Sequence, residues 1–165
     1  MTPNEQRRKQ KNVVIVAIIL VSFLGIYIAV QPLITINAPG YSEIGVLGPQ
    51  GKVGGYPTSV RVNQSFLLYG YLSNNEGHPA YYNVLVKAGN QSTFISNETY
   101  ANAPILESYY YVLNKAQTFT FPINITLSTQ VTNLKLIFEL WYYDVSESNF
   151  TYTGQWAYLR LNVTS

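Results

Sequence analysis

An uncharged stretch from residue 13 to residue 30 divides this chain of 165 residues into parts that cannot share one core. Thirteen of the eighteen residues are Val, Ile, Leu or Phe, interrupted by Ser22 and Gly25. At helical rise the stretch spans about 27 Å, close to the ~30 Å hydrocarbon core of a bilayer. Side chains of this kind favour insertion by at most about 4–8 kcal/mol in sum, using values for the bilayer centre. A helix buried in a soluble core would keep a polar face, and this one is apolar all round. A cleaved secretory signal has a shorter apolar region and a small-residue site after it, whereas Gln31-Pro32-Leu33 follows here. The sequence therefore predicts a cytoplasmic tail at residues 1–12, a single transmembrane helix at 13–30, a linker at 31–40 and a folded body at 41–165.

Charge placement sets the orientation. Arg7, Arg8, Lys9 and Lys11 precede the span and only Glu5 opposes them. Basic residues before a span keep the N-terminus cytoplasmic, so the body is expected outside the cell membrane. The formal charge of +2 belongs to that tail, because the body carries six bases and seven acids. No basic face is left for nucleic acid. The expected partners are the lipid bilayer and other envelope or membrane-complex proteins, with the oligomeric state open. The chain has no Cys, which excludes disulfides, zinc ribbons, iron–sulfur clusters and thiol catalysis.

Past the linker the apolar period changes from helical to two. Phe119, Phe121, Ile123, Ile125 and Leu127 alternate with polar neighbours, and Pro122 marks that strand as an edge or a bulge. Leu134, Leu136, Phe138 and Leu140 alternate with Lys135, Ile137, Glu139 and Trp141. Ala157, Leu159, Leu161 and Val163 repeat the pattern, as do Tyr82, Val84 and Val86, and Phe66, Leu68 and Leu72. Turn-forming clusters at 48–51, 74–77, 89–90 and 146–149 separate these runs. Seven to nine strands at such spacing predict an all-β, immunoglobulin-like antiparallel β-sandwich after the N-terminal helix. Tyr109-Tyr110-Tyr111 breaks the alternation, as a strand covered on both faces or an exposed aromatic patch would.

Tyr41-Ser42-Glu43-Ile44, Leu47-Gly48-Pro49-Gln50-Gly51-Lys52 and Tyr56-Pro57-Thr58 form a distinctive opening to the body. Asn63 and Asn75-Glu76-Gly77 follow at hairpin spacing, and the runs 134–141 and 158–163 close it. This resembles the C-terminal region of an archaeal membrane-protein family, domain of unknown function 1616, over residues 41–163. The resemblance implies an archaeal, extracytoplasmic, immunoglobulin-like module and transfers no active-site residue. Family members carry several N-terminal spans where this chain has one. Gly48-Pro49-Gln50-Gly51 reads as a tight turn, since it lacks the Gly-Lys-Ser/Thr ending and following helix of a phosphate loop.

Catalytic chemistry has little to work with. His78 is the one histidine, in Glu76-Gly77-His78-Pro79, and Asp144 is the one aspartate. A metal site needs more ligands, and a serine triad lacks a Gly-x-Ser-x-Gly elbow. Glu147 and Asp144 could pair on a glycoside, but their Ser- and Asn-rich surroundings read as a solvated hairpin end. No catalytic, cofactor-binding or metal-ligating residue is assigned, no cofactor is expected, and the chain is read as a non-enzyme.

Six Asn-x-Ser/Thr sequons, at Asn63, Asn90, Asn97, Asn124, Asn149 and Asn162, are the strongest chemical signal. Composition alone would give about two such sites. They are candidate N-glycosylation sites on a cell-surface glycoprotein. The chain also holds 15 tyrosines, which suit sheet surfaces and contact with sugars or proteins alike. Tyr81, Tyr109, Tyr110, Tyr111, Trp141 and Tyr143 form the candidate aromatic contact surface. The expected function is a structural or interaction module, such as an accessory subunit of a membrane or surface complex. A pilin-like filament subunit and a glycan-binding surface module are the alternatives, and Lys11-Asn12 lacks the small residue of a pilin processing site.

Overall fold

The computed structural model describes residues 19–23, 26–27 and 40–165. Residues 19–23 and 26–27 are helical, and no helix among the described residues is long and apolar enough to cross a membrane. Most of the span expected at 13–30, and the whole basic tail, lie outside the described residues. The chain divides into two compact units, Met1–Ala38 and Pro39–Ser165. The second includes residues 41–165.

Its described residues hold eight strands: β1 (Ser42–Leu47), β2 (Ser59–Arg61), β3 (Ser65–Asn74), β4 (Ala80–Gly89), β5 (Ile105–Leu113), β6 (Thr118–Thr126), β7 (Val131–Asp144) and β8 (Asn149–Thr164). They form a three-stranded sheet, β1-β3-β6, and a five-stranded sheet, β2-β8-β7-β4-β5. Every pairing is antiparallel except that of β2 with the end of β8. Consecutive strands β5 and β6 lie in different sheets, so the chain crosses the sandwich between them. This is the immunoglobulin-like arrangement.

The alternating apolar positions meet between the sheets. Leu68, Leu72, Phe121, Ile123 and Ile125 from the smaller sheet pack with Val84, Val86, Leu136, Phe138, Leu140, Leu161 and Val163 from the larger. Each such side chain, fully buried, contributes about 1.5–3 kcal/mol. Phe121 lies over Gly70, its cross-strand partner, where a Cβ would collide with the ring. Pro122 sits on β6, an edge strand, as its missing N–H requires.

Asn74 closes one end of the sandwich. Its side chain is fully buried, its Nδ2 donates to the carbonyls of His78, Leu113 and Asn114 at 2.9, 3.0 and 3.1 Å, and its Oδ1 accepts from the Glu76 N–H at 2.9 Å. One amide thereby satisfies the β3–β4 and β5–β6 turns together. The 48–51 turn forms as read, with Gly51 N–H donating to the Gly48 carbonyl at 2.9 Å and Gly51 at φ 68°.

The tyrosine run does alternate. Tyr109 and Tyr111 face inward, with their rings 5.5 and 4.6 Å from Phe121, while Tyr110 faces outward. Three identical residues hide a period of two.

Candidate functional site

The outer face of the five-stranded sheet has two halves. Lys87, Glu139 and Trp141 lie on one half, and residues 90–104, between β4 and β5, cover it. Ile137, on the same face, packs with Ile95 and Ala101 of that connection in a second small core. The Lys87 and Glu139 side chains are 5% and 0% exposed and form an ion pair of 2.8 Å. A buried ion pair is costly unless its remaining polar valences are filled. Here Glu139 Oε1 accepts from the Ala101 N–H at 2.6 Å and Oε2 from Trp141 Nε1 at 3.0 Å. Lys87 Nζ donates to the Ala101 carbonyl at 2.8 Å and lies 5.2 Å from the centre of the Tyr100 ring.

Two further side chains hold the same connection by its main chain. Lys135 Nζ donates to the Thr93 carbonyl and Tyr152 Oη to the Ser96 carbonyl, at 2.9 and 2.8 Å. Burial, and then the Glu139 charge, push the Tyr152 phenol well above its ordinary pKa. Tyr100, Trp141 and Tyr152 pack together, with ring centres 5.1 to 6.2 Å apart. β8 bulges beneath the connection at Gly154, φ 76°, where a Cβ would strike the Asn97 carbonyl. Trp141 is therefore a half-buried part of this clamp, packed against Tyr100 and Tyr152. Tyr109 and Tyr111 face the core.

The other half of the face is open. Tyr81 on β4, Tyr110 on β5, Tyr143 on β7 and Phe150 on β8 form a continuous aromatic patch across four strands. Tyr81 is its hub, with ring centres 6.1 Å from Tyr110, 6.1 Å from Tyr143 and 5.2 Å from Phe150. Tyr110 and Tyr143 also meet Phe150, at 5.8 and 5.4 Å. Tyr81 is 40% and Tyr110 52% exposed, and Val112 and Val145 extend the apolar area. Phe150 was missed because it lies inside a sequon. The strand pairing of Tyr143 with Phe150 brings it in. Between the two halves, Asn83 is buried with its Oδ1 unpartnered.

All six sequon asparagines are exposed. Asn63 occupies the turn before β3 at φ 60°, Asn90 and Asn97 lie in the covering connection, Asn124 on the β6 edge, and Asn162 on β8. Asn149 opens β8 opposite Asp144, one residue beyond the hairpin tip.

The titratable candidates serve turns. His78 is exposed, with Nδ1 2.9 Å from the Pro79 carbonyl. Asp144 accepts from Ser146 Oγ and N–H at 2.5 and 2.8 Å and from Tyr142 Oη at 3.2 Å. The Ser146 bonds come first among the causes that lower its pKa. Among the described residues no group of three or more His, Cys, Asp or Glu gathers. A cleft of about 450 Å³ at one end of the sandwich is lined by Leu106, Leu127, Leu134 and Val163 with Thr and Asn side chains, and no acid or base.

The described body is thus an immunoglobulin-like sandwich with a covered, clamped half and an open aromatic half on one sheet. The chain belongs to the family of domain of unknown function 1616, whose model matches residues 37–164. Among solved structures it is similar to a CARDB domain from Pyrococcus furiosus crystallised in complex with di-metal ions. That likeness has a TM-score of 0.50 and 12% identity, over 77% of this chain and 90% of that one. A β-glucosidase from Listeria innocua in complex with glucose is similar at a TM-score of 0.47 and 7% identity, over 76% of this chain and 16% of the enzyme. These likenesses concern the fold. No curated protein matches.

Proposed function

We propose that this chain is a single-pass protein of an archaeal cell envelope, with a cytoplasmic N-terminus and an external, glycosylated sandwich that acts as a non-enzymatic structural or interaction module. The observation that carries the interaction role is the open patch of Tyr81, Tyr110, Tyr143 and Phe150. Four aromatic side chains on a rigid sheet give large contact area at low entropic cost, and aromatic residues are enriched at interfaces. The basic tail and the apolar stretch at 13–30 support the anchored reading, and the six exposed sequons support the external one.

The test is chemical cross-linking in native membranes followed by mild detergent extraction, comparing wild type with a Tyr81→Ser, Tyr143→Ser, Phe150→Ser variant. A membrane or surface protein that travels with the wild type and is lost from the folded variant is expected. Partners retained by the variant would remove the patch from the interaction. Protease on intact cells should cut the body and spare Arg7 to Lys11. The reverse result would overturn the orientation.

A further inference from the structure

We infer that the cleft at the end of the sandwich is the seat of a neutral saccharide, the first sugars of a glycan carried by Asn90. This deepens the glycosylated reading above and rests on it. The cleft, about 450 Å³, falls within the roughly 300–1,000 Å³ of small-ligand sites. Leu127, Leu134 and Val163 form a buried floor, and Thr129, Thr132 and Asn133 form an exposed rim. No lining residue is charged.

That lining selects a class of ligand. An ion entering the cleft would lose its water with no counter-charge to replace it. A wholly apolar ligand would cover the hydroxyls and amides of the rim and leave them unpaired. A pyranose suits both parts of the lining. It has an apolar C–H face for the floor and a girdle of hydroxyls that donate to and accept from Thr and Asn side chains.

The occupant is the chain's own glycan because Asn90, of the six sequon asparagines, is the one that lines the cleft. It is also the one whose carboxamide is held by the hydroxyl of its own sequon. Ser92 Oγ donates to Asn90 Oδ1 at 2.7 Å, and the Ser92 N–H donates to the same oxygen at 3.0 Å. Among the described residues nothing engages Nδ2, the atom to which a glycan attaches. The main chain of Asn90 is fixed as well. Its N–H donates to Thr93 Oγ1 at 2.9 Å, its carbonyl accepts from the Thr93 N–H at 3.2 Å, and Lys135 holds the Thr93 carbonyl. A sugar on Asn90 therefore starts at the cleft wall. Such a tether holds it at about millimolar effective concentration, so weak contacts suffice to seat it.

The test uses the full chain from its native host. Intact-glycopeptide mass spectrometry should find glycan at Asn90. Periodate, which cleaves vicinal diols, then reports how open that glycan is. Its oxidation in the folded chain should be about tenfold slower than in the glycopeptide cut from it, the protection that about 1.4 kcal/mol of seating gives. Thr129→Arg and Thr132→Arg crowd the exposed rim and leave the sequon intact, so each should restore the fast rate. Glycan at other sequons with Asn90 bare would overturn the seat and spare the glycosylated reading. All six asparagines bare would remove both. Equal oxidation in the folded chain and the glycopeptide, or protection that survives both arginine variants, would overturn the seat alone.

Discussion

The Lys87 ammonium and the Glu139 carboxylate, 2.8 Å apart, hold the backbone of a single residue between them: one takes the Ala101 carbonyl and the other the Ala101 N–H. The pair is thus at once the most buried charge in the described sandwich and the fastening of its longest covering segment. Its worth is best measured by breaking it from one side.

Lys87→Met removes the counter-charge and leaves Glu139 buried. A loss of about 3–5 kcal/mol is expected, since breaking a buried pair strands the remaining charge. Urea unfolding followed by tryptophan fluorescence measures it. A cost below about 1 kcal/mol, the range of exposed pairs, would mean that water reaches the site.

Gly154→Ala and Gly51→Ala separate two costs. Both glycines have positive φ, 76° and 68°, but a Cβ at Gly51 meets nothing within 4 Å, whereas at Gly154 it meets the Asn97 carbonyl. Gly51→Ala should cost about 1–2 kcal/mol for the left-handed backbone alone. Gly154→Ala should cost clearly more, and limited proteolysis should cut first within 90–104. Equal melting shifts for the two variants would show that β8 and the connection are not in close contact.

The dependence on pH should be flat in the middle and fall at both ends. The Tyr152 phenol is raised by burial and by Glu139, so its stabilising contribution is complete below the unfolded value of about 10 and declines above it. Asp144 is lowered by its Ser146 bonds, so its contribution is complete above about 4 and is lost as pH falls through the lower folded value. Tyr152→Phe should flatten the alkaline limb, and Asp144→Asn the acid one. Melting curves between pH 2 and 11, a range chosen to bracket roughly both limbs, check this. A midpoint that changes steadily between pH 5 and 8, roughly where His titrates, would contradict it.

Intact-glycopeptide mass spectrometry on protein from its native host should find glycan at Asn149, beside the β7–β8 tip, at higher occupancy than at Asn124 within the regular β6 strand. Asn149→Gln should shift stability by no more than about 0.5 kcal/mol, as exposed turn positions do. Six unmodified asparagines would leave the external placement resting on the charge of the tail.

Much of the sandwich could be read from alternation alone. The runs 121–127, 134–140 and 157–163 each placed their apolar set on the core face, Phe119 alone staying exposed at the strand's start, and Pro122 marked an edge. Alternation reports one face only. It could not say that the other face of β7 is covered, because the cover is an aperiodic segment whose grip depends on carbonyls, which every residue carries. Ile137 among the outward positions was the available hint. Tyr109, Tyr110 and Tyr111 failed differently, since three like side chains carry no contrast. Of the candidate aromatic surface, Tyr81, Tyr110 and Tyr143 come together; Phe150 joins them through pairing that no local pattern shows.

The segment 90–104 is fastened by main-chain atoms: the carbonyls of Thr93, Ser96 and Ala101 and the Ala101 N–H. Gln91, Phe94, Asn97, Glu98 and Asn102 are exposed. Mutation can therefore rewrite the outward chemistry of this segment almost freely while Lys87, Lys135, Glu139 and Tyr152 go on seating it. Related chains can diversify here what they present to their surroundings at little cost in stability, because the frame is indifferent to the message it carries.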